Sequence, residues 1–431
     1  MLEQIMLDKR KRNIIILIGI FAYALLLFLV QTQIPFGTYK EEVMRFLIPK
    51  HILNHGTLPT TFDLDTYNKL WGMSYASQAN GAYLIMFVFM KLFSLLGVSM
   101  ANMYLVARCT NIFIGCMFAV IVIKISRELF SDTKKKIIFV SIVLLWNQIV
   151  NSFCLINGEG LMLFGIALCI LFILRGIKNE WDWKNTIGLG IGNGIILIAY
   201  LSGMGFCLVS AIAFISTFII KIARDNKYLE MIKKGAVVLL EAFVISGWFY
   251  IRNYFLYGSI MGKQMLKLKV NPYFTGNNMA LNARRKMFST KGFFEWIQGQ
   301  SVSFCGKSIT TSNAIATYLY WTLTAIVIIL LIMATIKIVK EWKTYSIDKK
   351  IITISMLFGI ILTLAIDWYY SAFNDYIPYY ARYLIPMVLP IVYFMLTGLE
   401  HIETKFKVIT KGWAAIVIGM IAICCFTFFY L

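Results

Sequence analysis

Apolar runs recur along the whole chain, separated by short polar turns and by two long polar segments. Most runs have about 17–25 residues, the length that a helix needs to cross ~30 Å of hydrocarbon. The pattern predicts an all-α polytopic membrane protein, with a single transmembrane domain over residues 1–431 and about eleven transmembrane helices. The predicted spans are residues 13–30, 103–123, 137–154, 160–175, 186–202, 204–221, 235–251, 314–336, 351–367, 384–399 and 413–431.

Basic residues in the turns predict the orientation. The basic cluster 9–12 should keep the N-terminus in the cytoplasm, and the next strongly basic turn, 124–136, should lie on the same side. A crossing at the intervening apolar stretch, 81–97, would put that turn on the wrong side. We therefore expect this stretch to lie in or along the outer leaflet as an interfacial helix, with Lys91 in its middle. The alternative is a true span that breaks the charge rule.

This topology places two long loops outside the cell: residues 31–102, with juxtamembrane helices, and residues 252–312. It also places the C-terminus outside. The second loop is itself basic, which favours either an anionic partner or an anchor in lipid headgroups.

The composition supports the membrane assignment, with 59% hydrophobic residues, 14% charged residues and a mean hydropathy of +0.74. A net charge of +20 would suit a nucleic-acid partner. The basic residues instead lie in turns between apolar runs, a pattern typical of membrane anchoring, so we exclude nucleic acid as a partner.

The alternating glycines of 188–194 lie inside a predicted span, where they indicate close helix packing rather than a dinucleotide-binding loop. The high content of lysine and isoleucine is typical of bacteria with a low GC content, so we expect the membrane to be a bacterial cell membrane.

Candidate acid–base residues gather just after the first span. Carboxylates at a membrane surface must be solvated, paired or used in chemistry. The spacing of these residues along the chain does not indicate a metal site. With this many acidic residues, however, a bound divalent metal ion stays an open alternative. The residues are Glu41, Glu42, His51, His55, Asp63 and Asp65.

Two arginines stand among aromatic residues at the predicted outer face. Arg252 lies in the segment 247–254 and Arg382 in the segment 379–386. Aromatic residues at this depth are common membrane anchors, but a guanidinium also offers a fork of donors that matches a phosphate. Two such arginines on the same side as a carboxylate pair favour a phosphate-binding site.

The order of these parts resembles the GT-C superfamily of membrane glycosyltransferases, especially its protein mannosyltransferase and aminoarabinose transferase branch. Glu41-Glu42 matches the acidic motif of the first outer loop, although the family usually has Asp first, and Gln78–Gly81 stands where a proline pair is usual. The other matching segments are Asn157-Gly158-Glu159, Arg252-Asn253 with Tyr257-Gly258, and Arg382-Tyr383-Leu384-Ile385-Pro386.

The resemblance implies an inverting glycosyltransferase without a cofactor. It would move a sugar from a polyprenyl-phosphate donor to an extracytoplasmic acceptor, such as a cell-wall glycan, a surface glycan or a lipid. It implies Glu41 as general base with Glu42 as second choice, and a substrate-binding set of Arg252, Arg382, Lys263, Arg284, Glu159, Asp63 and Tyr383. The alternatives are a polymerase or ligase of polyprenyl-linked glycans, a transporter of lipid-linked sugars, and a structural membrane subunit.

Overall fold

The computed structural model describes residues 9–67, 74–222, 228–261, 286–306, 314–373, 381–405 and 412–430. These residues form fifteen α-helices joined by short 3₁₀ turns, together with a π-helical stretch at Phe218–Ile222. The α-helices are α1 (Lys9–Gln33), α2 (Lys40–His55), α3 (Gly81–Leu95), α4 (Met103–Leu129), α5 (Thr133–Leu145), α6 (Asn147–Cys154), α7 (Glu159–Lys178), α8 (Trp183–Ala199), α9 (Met204–Thr217), α10 (Tyr228–Tyr257), α11 (Thr290–Phe304), α12 (Ala314–Glu341), α13 (Ile347–Phe373), α14 (Val388–Lys405) and α15 (Gly412–Tyr430).

Each predicted span falls on one helix or on two consecutive helical segments, which confirms the all-α polytopic fold. Within the described residues, eight helices are long and apolar enough to cross a membrane, or nine if α5 and α6 form one bent span. The count is lower than the predicted eleven because α8 has only 17 residues and the stretch of α15 that qualifies as an apolar helix is limited to Ala414–Phe426.

The predicted span 137–154 is a broken helix rather than a straight one. Its two halves, α5 and α6, meet at an angle of 55°. Trp146 lies at the break in an extended conformation, and its indole Nε1 donates to the carbonyl of Phe304 at 3.0 Å. Directly after α6, the carbonyl of Leu155 accepts from the side chain of Asn111 in α4 at 2.5 Å.

The helix α3 occupies the stretch that we expected not to cross. Its 15 residues extend for only about 22 Å, which is too short for the ~30 Å hydrocarbon core. Its first residue, Gly81, lies directly against Ile198 of α8, and Lys91 is exposed. The length agrees with the predicted non-crossing helix.

The glycine run of α8 packs against two neighbouring helices, as predicted. Alternate glycines face α7 and α10, because residues four apart share a helix face and residues two apart do not. The contacts are Gly188 with Phe172, Gly192 with Cys169, Gly190 with Glu241, and Gly194 with Ile245.

We expect Gly192→Ala to destabilise the protein by about 1–3 kcal/mol through overpacking. A methyl group there would stand 2.8 Å from Sγ of Cys169 and 3.1 Å from its backbone nitrogen. The matched control is Gly19→Ala in α1, where no atom of the described part of the chain lies within 4 Å of the added carbon. Thermal unfolding in detergent measures both; equal melting temperatures for the two variants would contradict the packing role.

Ion pairs join the helix ends at one side of the bundle. Glu400 at the end of α14 contacts Lys135 of α5 at 2.8 Å and Lys337 of α12 at 2.9 Å. Glu128 of α4 similarly contacts Arg175 of α7 at 2.9 Å. These contacts gather turns that we predicted to share one face. We call the opposite end, where α1 ends and α4 and α7 begin, the site end.

Candidate functional site

The helix α2 brings the two acidic residues to the site end. Glu41 and Glu42 occupy its first turn, where the helix dipole favours negative charge. Consecutive helical residues point about 100° apart, so the two carboxylates face different surroundings. Gly56 ends the helix with a positive φ of 71°, and its N–H donates to the carbonyl of Ile52 at 2.8 Å.

Glu42 is a buried structural anchor. It is 2% exposed, and its two oxygens accept from Nε and Nη2 of Arg108 at 2.7 and 2.6 Å. The N–H of Ile156 donates to the same carboxylate at 3.1 Å. Nη1 of Arg108 donates to the carbonyls of Gln31 and Ile34 at 3.1 and 2.8 Å. This pair therefore fastens together α1, α2, α4 and the segment before α7.

Glu41 is half-buried and faces a different arginine. Its carboxylate forms a bidentate pair with Arg382, in which Nη1 donates to Oε2 and Nη2 donates to Oε1 at 3.2 Å. Arg45, one turn along α2, approaches Oε2 at 3.5 Å. Burial raises the pKa of Glu41, but Arg382 and Arg45 outweigh it, and the net pKa lies below the ordinary glutamate value. Glu41 is therefore ionised at neutral pH.

A second acid extends this cluster. Arg45 is buried, and its Nη1 lies 3.7 Å from Oε1 of Glu159, which is also buried. Asn157 starts α7 by accepting from the N–H groups of Glu159 and Gly160 at 2.9 and 3.2 Å. The motif Asn157-Gly158-Glu159 thus sets the position of Glu159. We call Glu41, Arg45, Glu159 and Arg382 the charged cluster, a chain of alternating charges.

Aromatic rings surround the charged cluster. Arg45 lies 5.8 Å from the ring of Tyr75 and 6.0 Å from that of Tyr200. Arg382 lies 5.3 Å from the ring of Tyr383, and its Nη2 donates to the Tyr383 hydroxyl at 3.4 Å. The ring of Tyr383 is 5.2 Å from that of Tyr370 in α13. Rings of this kind hold guanidinium groups through cation–π attraction.

The structure brings four of the predicted site residues together and separates others. Glu41, Glu159, Arg382 and Tyr383 meet in and beside the charged cluster, whereas Glu42 belongs to the separate pair with Arg108.

Arg252 and Asp63 hold the loop after α2. Nη2 of Arg252 donates to the carbonyls of Leu58 and Pro59 at 3.1 and 2.8 Å. Asp63 accepts from the N–H of Thr60 at 2.6 Å. Nη1 of Arg252 is buried and has no hydrogen-bond partner among the described residues. The remaining predicted residues, Lys263 and Arg284, lie outside the described residues.

Sequence reasoning missed Arg45, Arg108 and Asp367. Arg108 lies inside a predicted apolar span, and a charge there requires a partner, so this signal was available. Arg45 stands four residues after Glu41, the helical spacing for an ion pair. Asp367 of α13 is 1% exposed, and its carboxyl group lies near the indole of Trp296 in α11. It precedes Tyr370 by one helical turn and so lies close to the rings beside the cluster.

Comparison with known proteins yields structural likeness only. No protein-family model matches the chain, and no curated protein matches it. The oligosaccharyltransferase of Archaeoglobus fulgidus, in complex with Zn and sulfate, is 14% identical with a TM-score of 0.55, covering 94% of this chain and 53% of that one. The chain thus spans about half the length of that protein.

Two further solved structures are similar at lower scores. Oligosaccharyltransferase AglB of A. fulgidus, in complex with an inhibitory peptide and a dolichol-phosphate, is 11% identical with a TM-score of 0.48, covering 96% of this chain and 55% of that one. ArnT of Cupriavidus metallidurans, bound to undecaprenyl phosphate, is 12% identical with a TM-score of 0.42, covering 90% and 77%.

Proposed function

We propose that this chain, which has the GT-C membrane fold, is a glycosyltransferase that moves a sugar from a polyprenyl-phosphate donor to an acceptor hydroxyl. The observation that carries the proposal is the pairing of Glu41 with Arg382 at the site end. A base and a phosphate ligand side by side are what such a transfer requires. We place the reaction at the extracytoplasmic border of a bacterial cell membrane, with the N-terminus in the cytoplasm.

Glu41 is the proposed general base. A base must be ionised and must reach the acceptor proton. Glu41 meets the first condition through its lowered pKa and the second through its half-buried position. Glu42 does not meet the second condition, because Arg108 and the N–H of Ile156 occupy its oxygens.

Arg382 is the proposed phosphate ligand. Without substrate it neutralises Glu41, and with a donor bound its guanidinium would turn toward the phosphate and release the carboxylate. The acceptor oxygen then attacks the anomeric carbon while its proton passes to Glu41. The bond from that carbon to the phosphate oxygen breaks, and the electron pair leaves with the phosphate. A positioned guanidinium stabilises this developing charge, usually the largest contribution to such a rate.

The surrounding residues have supporting roles in this proposal. Arg45 and Glu159 hold Glu41 in place and offer polar atoms to sugar hydroxyls, and Tyr383 orients Arg382. Arg252 and Asp63 act through the loop they hold rather than on the substrate directly.

The proposal is tested by reconstituting the chain in vesicles with a panel of polyprenyl phosphates that carry labelled sugars. We expect label to leave the lipid in an acceptor-dependent reaction, and Arg382→Gln to abolish that release. Label that changes leaflet while still bound to its lipid would replace the transferase with a transporter. A product that grows by repeated addition to a glycan would replace it with a polymerase.

A further inference from the structure

Two histidines and one aspartate meet at the far end of α2. His51 and His55 are four residues apart and so share one face of the helix. Nδ1 of His51 lies 2.9 and 2.8 Å from the two carboxyl oxygens of Asp65, and Nε2 of His55 lies 3.3 Å from Oδ2. The three ligand atoms all lie within 4.8 Å of one another. Among the described residues, these three side chains form the group of histidine, cysteine and acidic residues whose spacing would suit a metal ion.

The surrounding structure holds this arrangement in advance. The chain reverses at Gly56, so that the loop 57–67 returns beside α2. The helix α10 holds that loop at two points. Arg252 donates to its carbonyls, and the Tyr257 hydroxyl accepts from the N–H of Thr61 at 3.1 Å. Asp65 is therefore presented to the histidines by a loop with independent anchors.

The donor set matches a divalent transition metal. Imidazole and carboxylate together suit zinc and its neighbours, whereas magnesium and calcium prefer oxygen ligands alone. Zinc bonds to nitrogen and oxygen are about 2.0–2.2 Å, so ligand atoms around a tetrahedral ion stand roughly 3.3–3.5 Å apart. The observed separations of 2.8 to 3.3 Å to Asp65 need only small side-chain movements to reach this geometry.

We infer that His51, His55 and Asp65 form a binding site for a divalent transition metal ion, with zinc as the reference ion, that clips the loop 57–67 to α2. His55 and Asp65 side chains are 54% and 44% exposed, which leaves an entry path and a position for water. The site is separate from the charged cluster, because ten residues of helix place His51 about 15 Å from Glu41. The metal therefore has a structural role and does not depend on the proposed transfer reaction.

The test is a Co²⁺ titration of the full chain, purified without a histidine tag. Low-symmetry Co²⁺ absorbs visible light, and we expect one equivalent to bind and to be displaced by Zn²⁺. His55→Ala and Asp65→Asn should each weaken binding at least tenfold. His55→Ala keeps the contact between His51 and Asp65, so that folding is not at risk.

Matched controls isolate the three ligands. His401→Ala removes the third histidine of the chain, and Glu295→Gln removes an exposed carboxylate of α11; both should bind Co²⁺ like the wild type. Zn²⁺ should also raise the melting temperature of the wild type and of both controls, but not that of His55→Ala. Absence of stoichiometric binding, or equal binding by His55→Ala and the wild type, would mean adventitious metal only and would overturn the inference. Neither result bears on sugar transfer, which is measured separately.

Discussion

Replacing Glu41 with glutamine is expected to lower the rate of sugar transfer by about 10²–10⁴-fold, the range that general base catalysis supplies. Glutamine keeps the shape of the side chain and still accepts from Arg382 through its amide oxygen, but it cannot take a proton. The melting temperature should change little, since Glu41 is only half-buried. Initial rates with a labelled donor in vesicles, together with thermal unfolding, give both quantities.

Two further variants, one conservative and one a control, test whether the effect is specific to the carboxylate of Glu41. Glu41→Asp retains a carboxylate and should keep far more activity than Glu41→Gln. Glu295→Gln removes an exposed carboxylate from α11 and should match the wild type. Because the pKa of Glu41 is lowered, its basic form persists as pH falls through the ordinary glutamate range, and activity dependent on this group should fall only below that range. Full transfer by Glu41→Gln would eliminate this residue as the base.

Replacing Arg108 with methionine is expected to destabilise the protein by about 3–5 kcal/mol, the usual cost of leaving one member of a buried ion pair uncompensated. Both side chains of the Glu42–Arg108 pair are 2% exposed. The carbonyls of Gln31 and Ile34 would also lose their donor. Thermal and chemical unfolding in detergent measure the loss, and poor expression of the variant would be consistent with it.

A double-mutant cycle separates the pair from general damage. Glu42→Gln combined with Arg108→Met removes both charges and should be more stable than Arg108→Met alone. The matched control is Lys178→Met, which breaks a partly exposed pair with Glu128 and should cost at most about 1 kcal/mol. If Arg108→Met proved as mild as Lys178→Met, the anchoring role of Glu42 would be wrong.

The predictable part of the fold was the order of its helices. Apolar run lengths located every span because burial in lipid constrains length and composition directly. The break at Trp146 was not predictable, since neither glycine nor proline marks it. At the break, the indole of Trp146 donates to the carbonyl of Phe304, a contact between distant parts of the chain.

The site was predictable only in outline. The acidic motif placed Glu41 first and Glu42 second as the base, but a sequence does not show which way two neighbouring side chains point. Their roles diverge through partners far along the chain, Arg382 for one and Arg108 for the other. Arg252 matched a motif as well, yet it binds backbone carbonyls of the first loop. A motif match therefore did not show that the side chain of Arg252 holds the loop after α2.

The separation of Glu41 and Arg382 by 341 positions has a consequence for biosynthesis. During insertion into the membrane, Glu42 can meet Arg108 as soon as α4 enters, so the scaffold around α2 can assemble early. Glu41 must wait for residues near the end of the chain before it gains its bidentate counter-ion. A nascent chain that ends before Arg382 would therefore carry the buried Glu42–Arg108 pair but would lack the bidentate counter-ion of Glu41.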